Sequence, residues 1–144
     1  ATLSKSELAG ERIFVALQNQ NQEDEHSCFA DNTHRDIVTN ADGIRNVYLG
    51  TYTRVDGTVV AGKGIKHLIE AVNSTTSGEL TTLSSDINTA VNAIPVPFDH
   101  GLTQESVGGT GPIMTSVTKL QLQGDKLVAA GSAIGISIST ALPE

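Results

Sequence analysis

The 144-residue sequence predicts an all-α protein, an up-and-down helical bundle of about four helices forming one domain over residues 1–144. Three observations carry that reading. Apolar residues recur at spacings of three and four over long stretches, glycine, proline, asparagine and serine cluster between those stretches, and no segment shows the period-two alternation of a half-buried strand. A chain of this length buries about 70% of its extended-chain surface, enough for one core.

The first helix is expected over residues 4–17, where Leu8, Ile13, Phe14 and Leu17 form an apolar face and Gly10 weakens the middle. An acidic stretch follows. Asp31, Asn32 or Thr33 can each accept a hydrogen bond from the first free N–H groups of a second helix, whose stripe is Ile37, Ala41, Ile44 and Tyr48 and whose end is near Gly50. Residues 55–64 are glycine-rich and read as a flexible connection. Ile65, Leu68, Ile69 and Val72 predict a short helix stopped by Asn73-Ser74-Thr75-Thr76-Ser77-Gly78. Leu80, Leu83, Ile87, Val91 and Ile94 predict a longer one, stopped by Pro95 and Pro97.

Residues 99–111 read as loop. From Pro112 the positions Ile113, Val117, Leu120, Gly124, Leu127, Gly131 and Ile134 alternate spacings of four and three, the seam of a helix lying along a bundle. The two glycines on that seam would let a neighbour approach closely. The β-branched tail over residues 134–140 is compatible with extended chain. There is no internal repeat.

Nine basic against sixteen acidic residues give a formal charge of −7, which repels phosphate backbones and anionic lipid. Nucleic acid and membrane-surface binding are set aside on that ground. Trp is absent and only five residues are aromatic, too few for a base-stacking platform. No stretch approaches the roughly 18 apolar residues of a membrane span. Ala1, with no Met or leader before it, reads as a processed or trimmed start, and the mature form is expected to be soluble.

The densest chemistry lies in residues 23–36, which hold five carboxylates, two of the four histidines and the single cysteine. Glu25, His26, Asp31 and His34 are the candidate metal ligands, since carboxylate oxygen and imidazole nitrogen bind zinc, iron or manganese, and Asp31 and His34 stand three apart at a helix start. Asn32 and Asp36 would orient them. The competing reading makes Glu23 and Asp24 solvated charges, Asp31 a helix cap and His26 a structural residue. Cys28 is a buried thiol, a metal ligand or half of a bridge to another chain, and the first, packed beside Phe29, is preferred.

Other motifs are weaker. Gly57-Thr58-Val59-Val60-Ala61-Gly62-Lys63-Gly64 approaches a phosphate-binding loop but has Gly64 where a hydroxyl should meet magnesium, so no nucleotide is expected. His67 and Glu70 share one face of a helix, and that pair reads as solvated. His100 has no companion. Asn73-Ser74-Thr75 fits the glycosylation pattern, which matters only in a eukaryotic secreted protein.

Three blocks in order and spacing resemble the imelysin family, in particular its iron-regulated protein A branch. They are Glu11-Arg12-Ile13-Phe14-Val15-Ala16-Leu17, then Gln22-Glu23-Asp24-Glu25-His26-Ser27-Cys28-Phe29-Ala30-Asp31-Asn32-Thr33-His34, then Gly43-Ile44-Arg45-Asn46-Val47-Tyr48-Leu49-Gly50-Thr51-Tyr52. Ala30 stands where many relatives have serine, and Ala93-Ile94-Pro95-Val96-Pro97-Phe98-Asp99 is similar to the family's sequence before its last helix. The resemblance implies the C-terminal half of a two-bundle fold, so the natural partner is the missing N-terminal bundle, in the same or a separate chain. The family's Gly-x-His-x-x-Glu motif belongs to that other half and is absent here.

It further implies a bacterial protein of the periplasm or outer membrane, connected with iron uptake. The expected ligand is iron or another divalent metal. The family's peptidase assignment implies, as the alternative, a metal-dependent peptidase inactive without the other half. A structural bundle that docks a partner is the third reading. Oligomeric state is left open.

Overall fold

The computed structural model describes residues 1–142. Its first helix, α1, is wound in two ways: Leu3–Phe14 is a π-helix and Val15–Asn19 an ordinary α-helix. In the wider turn, backbone N–H groups reach back five residues, as Val15 does to the Gly10 carbonyl. Side chains four and five apart therefore share a face, which matches the burial of Ser4, Leu8, Ala9, Ile13 and Leu17. The Arg12 guanidinium donates to the Glu7 carboxylate, five residues back, at 2.8 Å.

Helix α2 (Thr33–Leu49) buries Ile37, Ala41 and Tyr48, with Ile44 half-buried beside them. It ends at Gly50, whose φ of 75° is left-handed and whose N–H donates to the Asn46 carbonyl at 2.8 Å. A Cβ on Gly50 would lie 2.3 Å from the Gly64 nitrogen, and one on Gly64 would lie 2.3 Å from the Gly50 nitrogen. That backbone approach closes a hairpin. Strands β1 (Thr51–Thr53) and β2 (Val59–Ala61) pair antiparallel in the register Thr51 to Ala61, Tyr52 to Val60 and Thr53 to Val59. The flexible connection expected over residues 55–64 is thus corrected to β-structure. Strands of three residues are too short for alternation to register in the sequence.

Helix α3 (Ile65–Val72) is followed by α4 (Ser74–Asn92) with only Asn73 between them. The polar run predicted to be a stop is the start of α4. The Asn73 side chain accepts from the Thr76 N–H at 3.0 Å, so these residues cap a helix instead of breaking it. Within the expected loop 99–111, residues Phe98–Leu102 form a short helix, α5, set up by Pro97 and anchored by buried Phe98 and Leu102. Helix α6 (Pro112–Ala133) then runs close to its predicted span. The Glu105 carboxylate accepts from the Ile113 and Met114 N–H groups at 2.9 and 2.8 Å, satisfying two free donors of its first turn.

The four long helices close a ring in which α1 packs on α6 and α2, and α4 packs on α2 and α6. The main core is Leu8, Ile13, Leu17, Ile37, Ile87, Val91, Phe98, Ile113, Val117 and Leu120. A smaller cluster of Tyr48, Ile69, Leu80 and Ala130 lies under α3, where the Tyr48 hydroxyl donates to the Ser77 carbonyl at 2.8 Å. The predicted α6 seam faces inward: Ile113, Val117, Leu120, Gly124 and Gly131 are buried and Leu127 and Ile134 half-buried. Residues 136–140 form neither helix nor strand, and Ile138 lies against Gly131. No helix among the described residues is long and apolar enough to cross a membrane.

The tightest helix contact is at Gly124, where an added Cβ would lie 2.5 Å from the Lys5 Cβ on α1. Gly124→Ala is therefore expected to destabilise the fold by about 1–3 kcal/mol through overpacking. Urea unfolding should show a lower midpoint at unchanged slope.

Candidate functional site

Two non-glycine residues in left-handed conformation bracket the acidic stretch, Gln20 with φ 52° and Asp31 with φ 49°. The first ends α1 and turns the chain away, since extension of the helix is interrupted there. Two 3₁₀ turns follow, Gln22–Asp24 and Cys28–Ala30, with Glu25 in extended backbone between them. The stretch is held to α2 by Ser27. Its N–H donates to Thr33 Oγ1 at 3.2 Å and its hydroxyl donates to the Asp36 carboxylate in the first turn of α2.

That clamp sorts the five carboxylates. Glu23 is exposed. Asp24 accepts from the Asn19 and Asn21 side-chain amides at 2.8 and 3.3 Å, Asp36 is held by Ser27, and Asp31 is exposed. Glu25 alone is carried inside, at 6% exposure, and neither of its carboxylate oxygens has a hydrogen-bond partner in good geometry. Burial pushes the Glu25 carboxyl above its ordinary value, the neighbouring Thr33 hydroxyl opposes the rise, and the negative charges of Asp99 and Asp31 add to it.

Asp99 brings a second element to the site. It stands in the first turn of α5, directly after the buried Phe98 anchor, and its Oδ1 is also buried without a partner. A fourth such atom is Nδ1 of His34, in the first turn of α2. The fold thus puts Glu25 within electrostatic reach of Asp31 and also of Asp99, which stands in a segment expected to be loop. The signal for Asp99 was its place beside Phe98, a large apolar residue directly after Pro97. His26 is exposed, and Asn32 takes its part through its backbone carbonyl, which accepts from the Arg35 and Asp36 N–H groups at 2.9 and 3.1 Å.

Two expectations for this stretch are corrected. None of Asp31, Asn32 and Thr33 caps α2 with its side chain; the left-handed turn at Asp31 directs the chain otherwise, and Thr33 Oγ1 is taken by the Ser27 N–H. Phe29 is fully exposed, so it packs no thiol, and Cys28 is half-buried and free. The reason is the second 3₁₀ turn, which lifts residues 28–30 off the bundle.

A metal ion held by protein alone needs several converging donors. Among the described residues no group of three or more His, Cys, Asp or Glu side chains is arranged to hold one. The unpartnered oxygens of Glu25 and Asp99 have the chemistry of hard-cation ligands, but among the described residues they are an incomplete set and do not form a closed metal centre. The His67 and Glu70 pair contributes none: His67 Nδ1 accepts from the Gly64 N–H at 3.1 Å and serves the start of α3.

The raised Glu25 carboxyl has a consequence for folding. A group whose value is higher in the folded chain than in the unfolded one favours folding when protonated, and that contribution is lost as pH rises through the folded value. Glu25→Gln should therefore gain stability over the parent above the ordinary carboxylate range, by about 1 kcal/mol or more, and lose the advantage in acid. Denaturation series across pH for both proteins check this, and parallel curves would contradict it.

No curated protein matches the sequence. The family model described as Imelysin, a peptidase family by its title, matches residues 1–127. That span covers α1, the acidic stretch, the hairpin and most of α6, so the chain belongs to the imelysin family.

Proposed function

We propose that this imelysin-family chain serves iron uptake, and that its acidic stretch supplies oxygen ligands to an iron site completed by groups outside residues 1–142. The observation that supports the reading most is the buried, unpartnered Glu25 with Asp99 and Asp31 beside it. A buried carboxylate without partners costs stability, commonly about 1–3 kcal/mol or more, and a fold that retains one has a use for its negative charge. Hard carboxylate oxygens suit iron and other divalent ions. His34, with its buried free Nδ1, stands as an additional donor; His26 and Asp31 are the exposed ones of the four first named.

Among the described residues no third donor converges, which is the reason for placing the remaining ligands elsewhere. An N-terminal imelysin bundle is the natural source. Family membership supports locating this role in the bacterial periplasm or at the outer membrane. Proteolysis is the second reading, favoured by the family's title. It would need a metal-bound water and a base, and with this donor set hydrolysis is expected only once the other half is present.

Thermal unfolding of the purified chain with ferrous iron, ferric iron, zinc and calcium in turn tests the reading. A saturable rise of about 4 °C is expected with iron at tenfold excess over its Kd, from binding to the folded state. Glu25→Gln and Asp99→Asn should each abolish the rise, and His26→Ala should leave most of it. A rise that survives both carboxylate changes sinks the assignment, and so does the lack of a rise with every metal when the N-terminal bundle is also present.

A further inference from the structure

The chain's charge is segregated in a way its total conceals. Lys5, Arg12, Lys119 and Lys126 are held in ion pairs on the bundle, while Arg35 and Arg45 on α2 make none among the described residues. Arg54, Lys63 and Lys66 lie on or beside the hairpin and, among the described residues, make no ion pair. Residues 51–67 hold those three cations and one carboxylate, with exposed Glu70 following on α3, in a chain of formal charge −7. The carboxylate, Asp56, is exposed at the tip, where its Oδ1 accepts from the Thr58 N–H at 2.8 Å.

The same projection carries exposed apolar side chains. Val55 is fully exposed at the tip, Tyr52 and Val60 stand opposite each other across the strands, and Leu68 and Val72 lie along the outer side of α3. These are not frayed ends. The tip is closed by bonds from the Arg54 N–H to the Thr58 carbonyl and from the Gly57 N–H to the Arg54 carbonyl, both 2.9 Å, and Gly57 has the left-handed φ the turn needs. At the base, the Gly62 N–H donates to the Gly50 carbonyl at 2.8 Å, beside the Gly50 and Gly64 backbone contact.

Every residue from 52 to 63 is exposed, so the surface is a projection and offers no groove for a peptide. A rigid convex tip with apolar side chains ringed by unpaired cations suits a soft, negatively charged plane. We propose that the β1–β2 hairpin with the start of α3 docks on an anionic lipid surface, Val55 and Tyr52 entering the headgroup region and Arg54, Lys63 and Lys66 meeting lipid phosphates. The acidic remainder of the chain is repelled by the same surface, which orients the bundle outward. The inference is independent of the reading of Glu25. It also narrows the exclusion drawn from total charge, which averages over this segregation.

Flotation of the purified chain with vesicles of phosphatidylcholine alone and of phosphatidylcholine with phosphatidylglycerol tests it. Binding is expected only with phosphatidylglycerol, weakening with salt, and falling about fivefold for each cation neutralised. Lys63→Ala and Val55→Asp, both at exposed positions, should reduce it with unchanged circular dichroism; Lys126→Ala, in an ion pair on the bundle, should not. Equal binding to both vesicles, no binding to either, or an equal loss in the Lys126 variant would overturn the proposal. So would binding of polyglutamate through Arg54 and Lys63 without binding of vesicles, which would assign the surface to an acidic protein.

Discussion

The bundle depends on one buried polar bridge. The single Ser4 hydroxyl proton of α1 is shared between the Gln123 side-chain oxygen of α6 at 2.8 Å and the Leu120 carbonyl at 2.7 Å, while Gln123 donates to the Ser84 hydroxyl of α4 at 3.1 Å and Ser84 donates to the Leu80 carbonyl at 2.8 Å. All three side chains are buried, so a slip in the register of any helix would strand amide or hydroxyl groups away from water. Apolar packing alone tolerates such slips far better. Gly124, the next residue, lets α1 come close enough for the bridge to form. The π-wound turn of α1 presents Ser4 and the apolar residues behind it on one face toward α6.

That register reaches the acidic stretch through α1 and α2. The stretch joins their ends, and its path is set by Gln20, by the Ser27 clamp on α2 and by α5 arriving with Asp99. Most of its charges are solvated or locally bonded. Glu25 is the one carboxylate of the stretch that is buried, and the rest of the stretch holds it in place. The helices give such a group a rigid support, while the small 3₁₀ turns around it leave neighbouring side chains in solvent.

Much of the fold was legible because helix periodicity is a local property. The seam of α6 and the stripe of α2 could be read residue by residue, and their buried positions agree with the spacing. The start of α4 was not, because Ser, Thr and Gly are common both in loops and in capped first turns, and only the bond from Thr76 to Asn73 separates the two cases. The hairpin was hidden for another reason. Three-residue strands have no period to detect, and the close approach of Gly50 and Gly64 is a contact between positions fourteen apart in a stretch whose glycines suggest freedom.

For the site, the sequence by itself determined the chemistry available: a dense acidic stretch with two histidines, in the order and spacing of the imelysin family. It also determined that the chain would be helical, since the apolar periods are written in it. Only the tertiary structure decided which carboxylate is buried, that Asp99 joins Glu25 from a distant element, and that His26 faces solvent. Burial and the meeting of like charges depend on how separate helices pack in space, and no local pattern of residues encodes those distances.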